Sequence, residues 1–282
     1  MTADEVTVGE VAAGEVTAAD VVAAAVDRWR ATHPAGRPLV VGLCGPQGAG
    51  KSTIAAAVSA TVTAAGGRVA VLSLDDLYLA PAARARLAVE VHPLLATRGV
   101  PGTHDVALGV AVLAALVAGR PVALPRFDKA TDAPRAPGAG PVAGPVPGPI
   151  DVVLFEGWCV GAVAQVDAAL AAPVNGLERD ADPDGRWRRF VNAQLAGPYR
   201  ALFAFVDRLI LLRPPDFATV VRWRQAAEVD ANGPMTAAQV AAFVAHFERI
   251  SRHIDSEMPA RADLVVPLGP DRSALALPAE PG

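Results

Sequence analysis

The sequence predicts an α/β fold built on a five-stranded parallel sheet with helices on both faces. Two observations carry this. Five apolar runs of strand length recur, near residues 38–45, 68–74, 150–158, 206–213 and 262–268, and stretches with helical spacing lie between them. Strands that alternate with helices argue for a mostly parallel sheet covered on both sides. A chain of 282 residues suits one such domain with insertions, and it is long enough for a sizeable core.

The elements follow in order. Residues 1–15 repeat a Gly-Glu-Val phrase and read as a loosely ordered leader, so the domain is expected over 16–268. Val22, Val26 and Trp29 share one face of a helix over 17–31. The run "PLVVGLCG" is a strand that ends in glycine, and "KSTIAAAVSATVTAAGG" is a helix stopped at Gly66-Gly67. "RVAVLSL" is the next strand. Two helical patterns between 81 and 119 are broken by "RGVPGTHD". Residues 133–149 are a Pro/Gly-rich loop. "IDVVLFEGW" and "VDRLILLR" are strands, "ATVVRWRQAAE" and "AAQVAAFVAHFERISRHI" are helices, and "ADLVVPL" is the last strand. The tail over 269–282 is Pro-rich and expected to fray.

Net charge is −4, which gives no basic stripe for nucleic acid. A small anionic ligand is compatible with it, because a pocket can be basic in a mildly acidic protein. Cys44 and Cys159 are too few for a disulfide framework and read as reduced, buried side chains. No basic-then-apolar leader opens the chain, and its longest apolar run is too short to span a bilayer. The expectation is a soluble, cytoplasmic protein without membrane or nucleic-acid partners.

The strongest motif is "GPQGAGKS", which satisfies G-x-x-x-x-G-K-[ST] between a strand and a helix. It comprises Gly45, Pro46, Gln47, Gly48, Ala49, Gly50, Lys51 and Ser52, with Thr53 next. Such a loop lets backbone N–H groups surround phosphate oxygens at a helix N-terminus. Lys51 is placed to reach the β- and γ-phosphates and Ser52 to ligate Mg²⁺. Thr53 is a candidate for the α-phosphate. The fold expected is therefore that of P-loop NTPases, with ATP and Mg²⁺ as the cofactors. No Asn-Lys-x-Asp phrase for reading guanine occurs.

Phosphoryl transfer to an alcohol needs a carboxylate to accept the hydroxyl proton and another on the metal side. Asp75 and Asp76 end the strand after the P-loop helix, and Glu156 ends "VVLFEG". Asp75 is assigned as general base and Glu156 as the metal-side carboxylate. Asp76 stays open between capping the turn, touching the acceptor and supporting Mg²⁺ through water.

Taken together, "GPQGAGKST", "SLDDLYL", "RGVPGTHD", "PRFDKA" and "FEGWCVG" resemble, in type and order, the D-glycerate 3-kinases. These belong to the P-loop kinases related to uridine kinase, phosphoribulokinase and bacterial pantothenate kinase. The resemblance covers roughly residues 37–268. It implies ATP-dependent phosphorylation of D-glycerate to 3-phosphoglycerate, a five-stranded parallel core and a mobile helical lid. Leu77 stands where the family more often has Phe, and Phe127 where Tyr is common; both keep an apolar wall.

Glycerate carries one carboxylate and two hydroxyls, so its site needs a cation clamp and a few hydrogen bonds. Arg98, His104, Arg126 and Lys129 are the candidate clamp, and Asp76, Tyr78, Asp105 and Asp128 complete the acceptor set. Gly99 as a helix C-cap and Thr103 as an N-cap are the plainer alternatives. The lid is expected over 214–228, where Arg224 is assigned to close on the transferring phosphate beside Arg222. The competing reading pairs Arg224 with Glu228 one turn on. A different acceptor, such as pantothenate or a nucleoside, and a P-loop regulatory or assembly ATPase are the alternative functions.

Overall fold

The computed structural model describes residues 16–135, 149–231 and 233–275. The leader at 1–15, most of the 133–149 loop and the end of the tail lie outside these residues.

Seven strands and ten helices are ordered along the described chain: α1 (Ala18–Thr32), β1 (Leu39–Cys44), α2 (Lys51–Ala64), β2 (Val69–Ser73), α3 (Pro81–Glu90), α4 (Val106–Val117), β3 (Phe127–Asp128), β4 (Ala133–Pro134), β5 (Val152–Gly157), α5 (Gly176–Ala181), α6 (Arg186–Ala196), α7 (Pro198–Phe203), β6 (Arg208–Arg213), α8 (Phe217–Asp230), α9 (Ala237–Val244), α10 (Glu248–Glu257) and β7 (Leu264–Pro267). Five strands form one parallel sheet in the order β2-β5-β1-β6-β7. All six residues of β1 are buried, as a central strand covered on both faces requires.

An unbroken apolar run hides which side chain faces where, and the sheet restores the two-residue alternation. Val41, Leu43, Val152, Leu154, Ile210 and Leu212 pack with Val22 and Val26 of α1 and with Ile54, Val58 and Val62 of α2. Val40, Cys44, Val153, Phe155, Leu209 and Leu211 pack on the other face with Leu113, Val191, Tyr199 and Ile254.

Register then positions the motifs. Cys44, which precedes the P-loop, lies opposite Gly157, and Ser73 at the end of β2 lies opposite Glu156. Residues far apart in sequence therefore emerge side by side at the C-terminal edge, where open α/β sheets bind ligands.

Three expectations need correction, and one stretch carried none. The 133–149 loop begins in a strand, because Phe127–Asp128 pairs antiparallel with Ala133–Pro134. The tail does not fray directly after β7: Leu268 bridges Ala274, and Pro270 O accepts from Trp223 Nε1 at 2.7 Å. The stretch read as one helix after Thr236 is two, α9 and α10, with the chain turning at Ala245–Phe247. Finally, Arg186–Phe203, passed over in the sequence, forms α6 and α7 and supplies core residues such as Trp187 and Tyr199. Among the described residues, no helix is long and apolar enough to cross a membrane.

Candidate active site

The P-loop is held in shape by close packing. Gly48 and Gly50 adopt positive φ (80° and 83°), a region L side chains avoid. A Cβ on Gly48 would also lie 2.9 Å from Trp223 Cβ, so α8 seats directly on the loop. Gly45 N donates to Gly157 O at 3.3 Å, which ties the loop to the end of β5. Lys51 Nζ donates to the carbonyls of Gly45 (2.9 Å) and Pro46 (3.1 Å) and so folds back over the loop. Ser52 and Thr53 lie in the first turn of α2, which offers its N-terminal dipole to anions.

Ser52 and Glu156 line one cavity of about 260 Å³. Glu156 is half-buried; burial raises its carboxyl pKa against the opposing pull of Lys51, and the Ser73 hydroxyl donates to it. A hydroxyl and a carboxylate are hard oxygen donors that fit Mg²⁺, which takes few protein ligands and completes its shell with phosphates and water. No cluster of three or more His, Cys, Asp or Glu suited to a metal occurs among the described residues. A second cavity of about 270 Å³ opens beside Gly45 and Pro46, against Trp158, Arg213 and Asp216.

Asp75 and Asp76 sit in a 3₁₀ turn over Leu74–Leu77, started by Ser73 Oγ accepting from Asp75 N at 3.3 Å. Their side chains have different partners. Asp75 Oδ1 accepts from Tyr78 OH at 2.8 Å and Oδ2 from Lys129 Nζ at 2.6 Å. Burial pushes the Asp75 pKa up, but Lys129, Tyr78 and Lys51 together outweigh it and hold it below the usual value. Asp76 faces the β3–β4 hairpin: Oδ2 accepts from Arg126 Nη1 at 2.8 Å and Oδ1 from Phe127 N at 3.0 Å.

The acceptor set divides. Lys129 and Tyr78 meet at Asp75 as described. Arg98 and the buried Arg84 both bond the carboxylate of Asp132, and Arg98 also stands 5.7 Å over the Phe127 ring. His104 is 4% exposed, stacks on Tyr78 at 4.6 Å, and has a pKa lowered to about 4, chiefly by burial. It is therefore a neutral packing partner of the site and not a cation of the clamp. Its Nδ1 lies 2.5 Å from Tyr199 OH, which in turn accepts from Gly102 N at 3.0 Å. Asp105 serves as the N-cap of α4, its Oδ1 accepting from Leu108 N at 2.9 Å; Thr103 instead latches the preceding turn through Gly99 N and Val100 O. Asp128 serves its own turn, accepting from Ala130 N at 3.0 Å. Arg224 pairs with Glu228 at 2.7 Å, and Arg222 bonds Thr219 Oγ1. The competing reading of Arg224 is the one the side chains adopt, in a partly enclosed pair whose Glu228 side chain is 8% exposed.

Several residues escaped sequence reasoning. Trp158 Nε1 donates to Gly99 O at 2.9 Å and joins β5 to the acceptor loop. Asp132, Arg84 and Tyr199 bind partners 34 to 95 positions away, a separation with no periodic signal.

Known proteins resemble this chain in sequence and in fold. The family described as methylmalonyl Co-A mutase-associated GTPase MeaB matches residues 10–78, the stretch that contains the P-loop. The uncharacterized kinase mug58 of Schizosaccharomyces pombe is 33% identical over 236 residues, covering 76% of this chain and 80% of that protein. A chloroplastic D-glycerate 3-kinase of Arabidopsis thaliana is 32% identical over 221 residues; the match covers 74% of this chain but only 46% of the plant protein. Among solved structures, a D-glycerate 3-kinase from Cryptococcus neoformans superposes with a TM-score of 0.70 and 26% identity, covering 92% of this chain and 96% of that one. With a P-loop on this sheet order and a kinase relative matched over most of its length, the chain is a phosphotransferase that belongs to the family of P-loop kinases including the D-glycerate 3-kinases.

Proposed function

We propose that the chain is an ATP- and Mg²⁺-dependent kinase that phosphorylates D-glycerate on its 3-hydroxyl. The observation that carries this reading is the Asp75 carboxylate, which stands at the C-terminal edge of the sheet between the P-loop lysine and a hairpin lysine. The relatives named D-glycerate 3-kinase support the acceptor.

In this reading the backbone of Gly45–Gly50 and the Lys51 ammonium bind the phosphates. Asp75 orients the acceptor hydroxyl and takes its proton as the new O–P bond forms in line with the departing ADP. Ser52 and Glu156 would hold Mg²⁺, whose charge neutralises the phosphate oxygens when it is bound. Arg98 and Lys129 supply cations on the acceptor side, and α8 with the segment before it acts as the lid. A cytoplasmic enzyme free of nucleic-acid and membrane partners completes the proposal.

The test is ADP release with a panel of small alcohols, with NMR of the product. D-Glycerate should stimulate ADP formation strongly and give 3-phosphoglycerate. Stimulation by pantothenate or a nucleoside alone would move the acceptor. Stimulation by a macromolecule and by no alcohol would replace the kinase reading with an assembly ATPase.

A further inference from the structure

The chain contains two lysines, Lys51 and Lys129; every other member of its Lys+Arg total of 25 is arginine. Arginine fills exposed helix positions, surface ion pairs and buried pairs alike, for example Arg252, Arg208 and Arg249. Both lysines lie at the candidate site, one on the P-loop carbonyls and one on Asp75. The two side chains differ in what they do to a carboxylate. Arginine grips it with a rigid planar fork, whereas lysine is a compact charge on a flexible stem that exchanges partners readily.

The platform under Lys129 is fixed while its side chain reaches Asp75 through solvent-exposed space. The β3–β4 hairpin is held at its base by both oxygens of Asp76, on Arg126 and Phe127 N, and near its turn by Asp132 on Arg84 and Arg98. Lys129 itself is 62% exposed. Its ammonium closes Oδ2 of the carboxylate whose other oxygen Tyr78 already occupies. A carboxylate engaged on both oxygens by donors is a poor proton acceptor.

We propose that Lys129 is a cation that changes partner, holding Asp75 in the free enzyme and passing to the carboxylate of the hydroxy-acid acceptor when that acid binds, and that Asp76 is the positioning residue that makes the exchange possible by anchoring the hairpin. The proposal rests on the reading of Asp75 as the base. The exchange conserves charge pairing: the incoming acid brings the anion that Lys129 takes up, and Asp75 gains an open oxygen. The acceptor hydroxyl then gives its proton to Asp75, its oxygen bonds the γ-phosphorus, and the bond from that phosphorus to the ADP oxygen breaks. Other charged or titratable groups around Asp75 are Lys51 of α2, Glu156 of β5, Tyr78 of its own turn, His104 before α4, and Cys159. Of these, Lys51 is committed to the P-loop and His104 is neutral, which leaves Lys129 as the cation able to move.

Two lysines make a direct test simple. Reductive ¹³C-methylation of the full chain gives two dimethyl-lysine resonances besides the N-terminal amine, assigned with Lys129→Arg. In the free enzyme, Asp75→Asn and Asp76→Asn should each move the Lys129 resonance and leave Lys51 in place. A non-hydrolysable ATP analogue should move Lys51; D-glycerate added next should move Lys129. In kinetics on unmethylated enzyme, Lys129→Met should lower kcat/KM by about 10²-fold, the scale for losing one preorganised charge contact. Its acid limb should move to higher pH, since Asp75 loses the cation that lowers its pKa. Asp76→Asn should shift that limb the same way, and adding it to Lys129→Met should shift it no further; a purely structural role would lower activity without moving it. If D-glycerate is not phosphorylated but another hydroxy acid is, and that acid moves Lys129, the acceptor assignment fails and the exchange stands. A phosphorylated acid that leaves Lys129 unmoved overturns the exchange. If Asp76→Asn leaves the Lys129 resonance unchanged, Asp76 does not position it.

Discussion

Two adjacent aspartates of the same type do unlike work because their side chains leave a 3₁₀ turn in different directions. Asp75 meets a phenol and an ammonium, and Asp76 meets a guanidinium and a backbone amide. Asp75→Asn keeps the shape but removes the proton acceptor. It should abolish transfer while ATP affinity stays near normal, as measured by nucleotide titration beside turnover; near-normal transfer would reject Asp75 as base. His104 gives a second prediction at this scale. Its folded pKa of about 4 lies below the ordinary 6.5, so the unfolded chain binds the proton more readily in that window. The contribution to stability is therefore complete above about 6.5 and is lost as pH falls toward about 4. Replacement of His104 by Gln should flatten the pH dependence of the denaturation midpoint over this range. An unchanged slope would mean that His104 does not govern it.

At the scale of single elements, what matters is how each is started and seated. Helix α4 begins at Asp105, whose carboxylate satisfies one of the orphan N–H groups of its first turn. Asp105→Ala should cost about 1 kcal/mol of stability, the usual worth of an N-cap. Turnover per folded molecule should change little, and a large loss of kcat with unchanged stability would restore Asp105 to the acceptor site. The P-loop shows the opposite sensitivity. Gly48→Ala combines a strained φ with a clash against Trp223. It should weaken ATP binding markedly while thermal unfolding shifts only modestly, a split that calorimetry with and without nucleotide would reveal. The β3–β4 hairpin was legible only in part. "PRFDKA" stood out by its cations, but its strand partner Ala133–Pro134 opens a Pro/Gly-rich stretch, a composition that argues against a packed element.

Across the whole molecule, the sheet gathers the site and long-range ion pairs fasten the helices around it. Arg249 of α10 grips both oxygens of Glu178 in α5 at 2.7 and 2.6 Å, with the two side chains 7% and 1% exposed. Arg249→Met leaves a buried carboxylate without its cation. That should cost about 3–5 kcal/mol, measured by denaturant unfolding; replacing both partners with apolar residues should cost less, and equal losses would mean that the pair is not a coupled unit. The sequence by itself determined the alternation of strands and helices, the P-loop with its glycines, and the carboxylates Asp75, Asp76 and Glu156 near strand ends, because each is a local pattern of spacing, apolar run and turn residue. Only the tertiary structure decided that Glu156 lies beside Ser73, that Lys129 reaches Asp75, that Asp76 anchors a hairpin, and that burial keeps His104 neutral. Those outcomes depend on register, side-chain direction and desolvation between segments distant along the chain, and no local spacing encodes them.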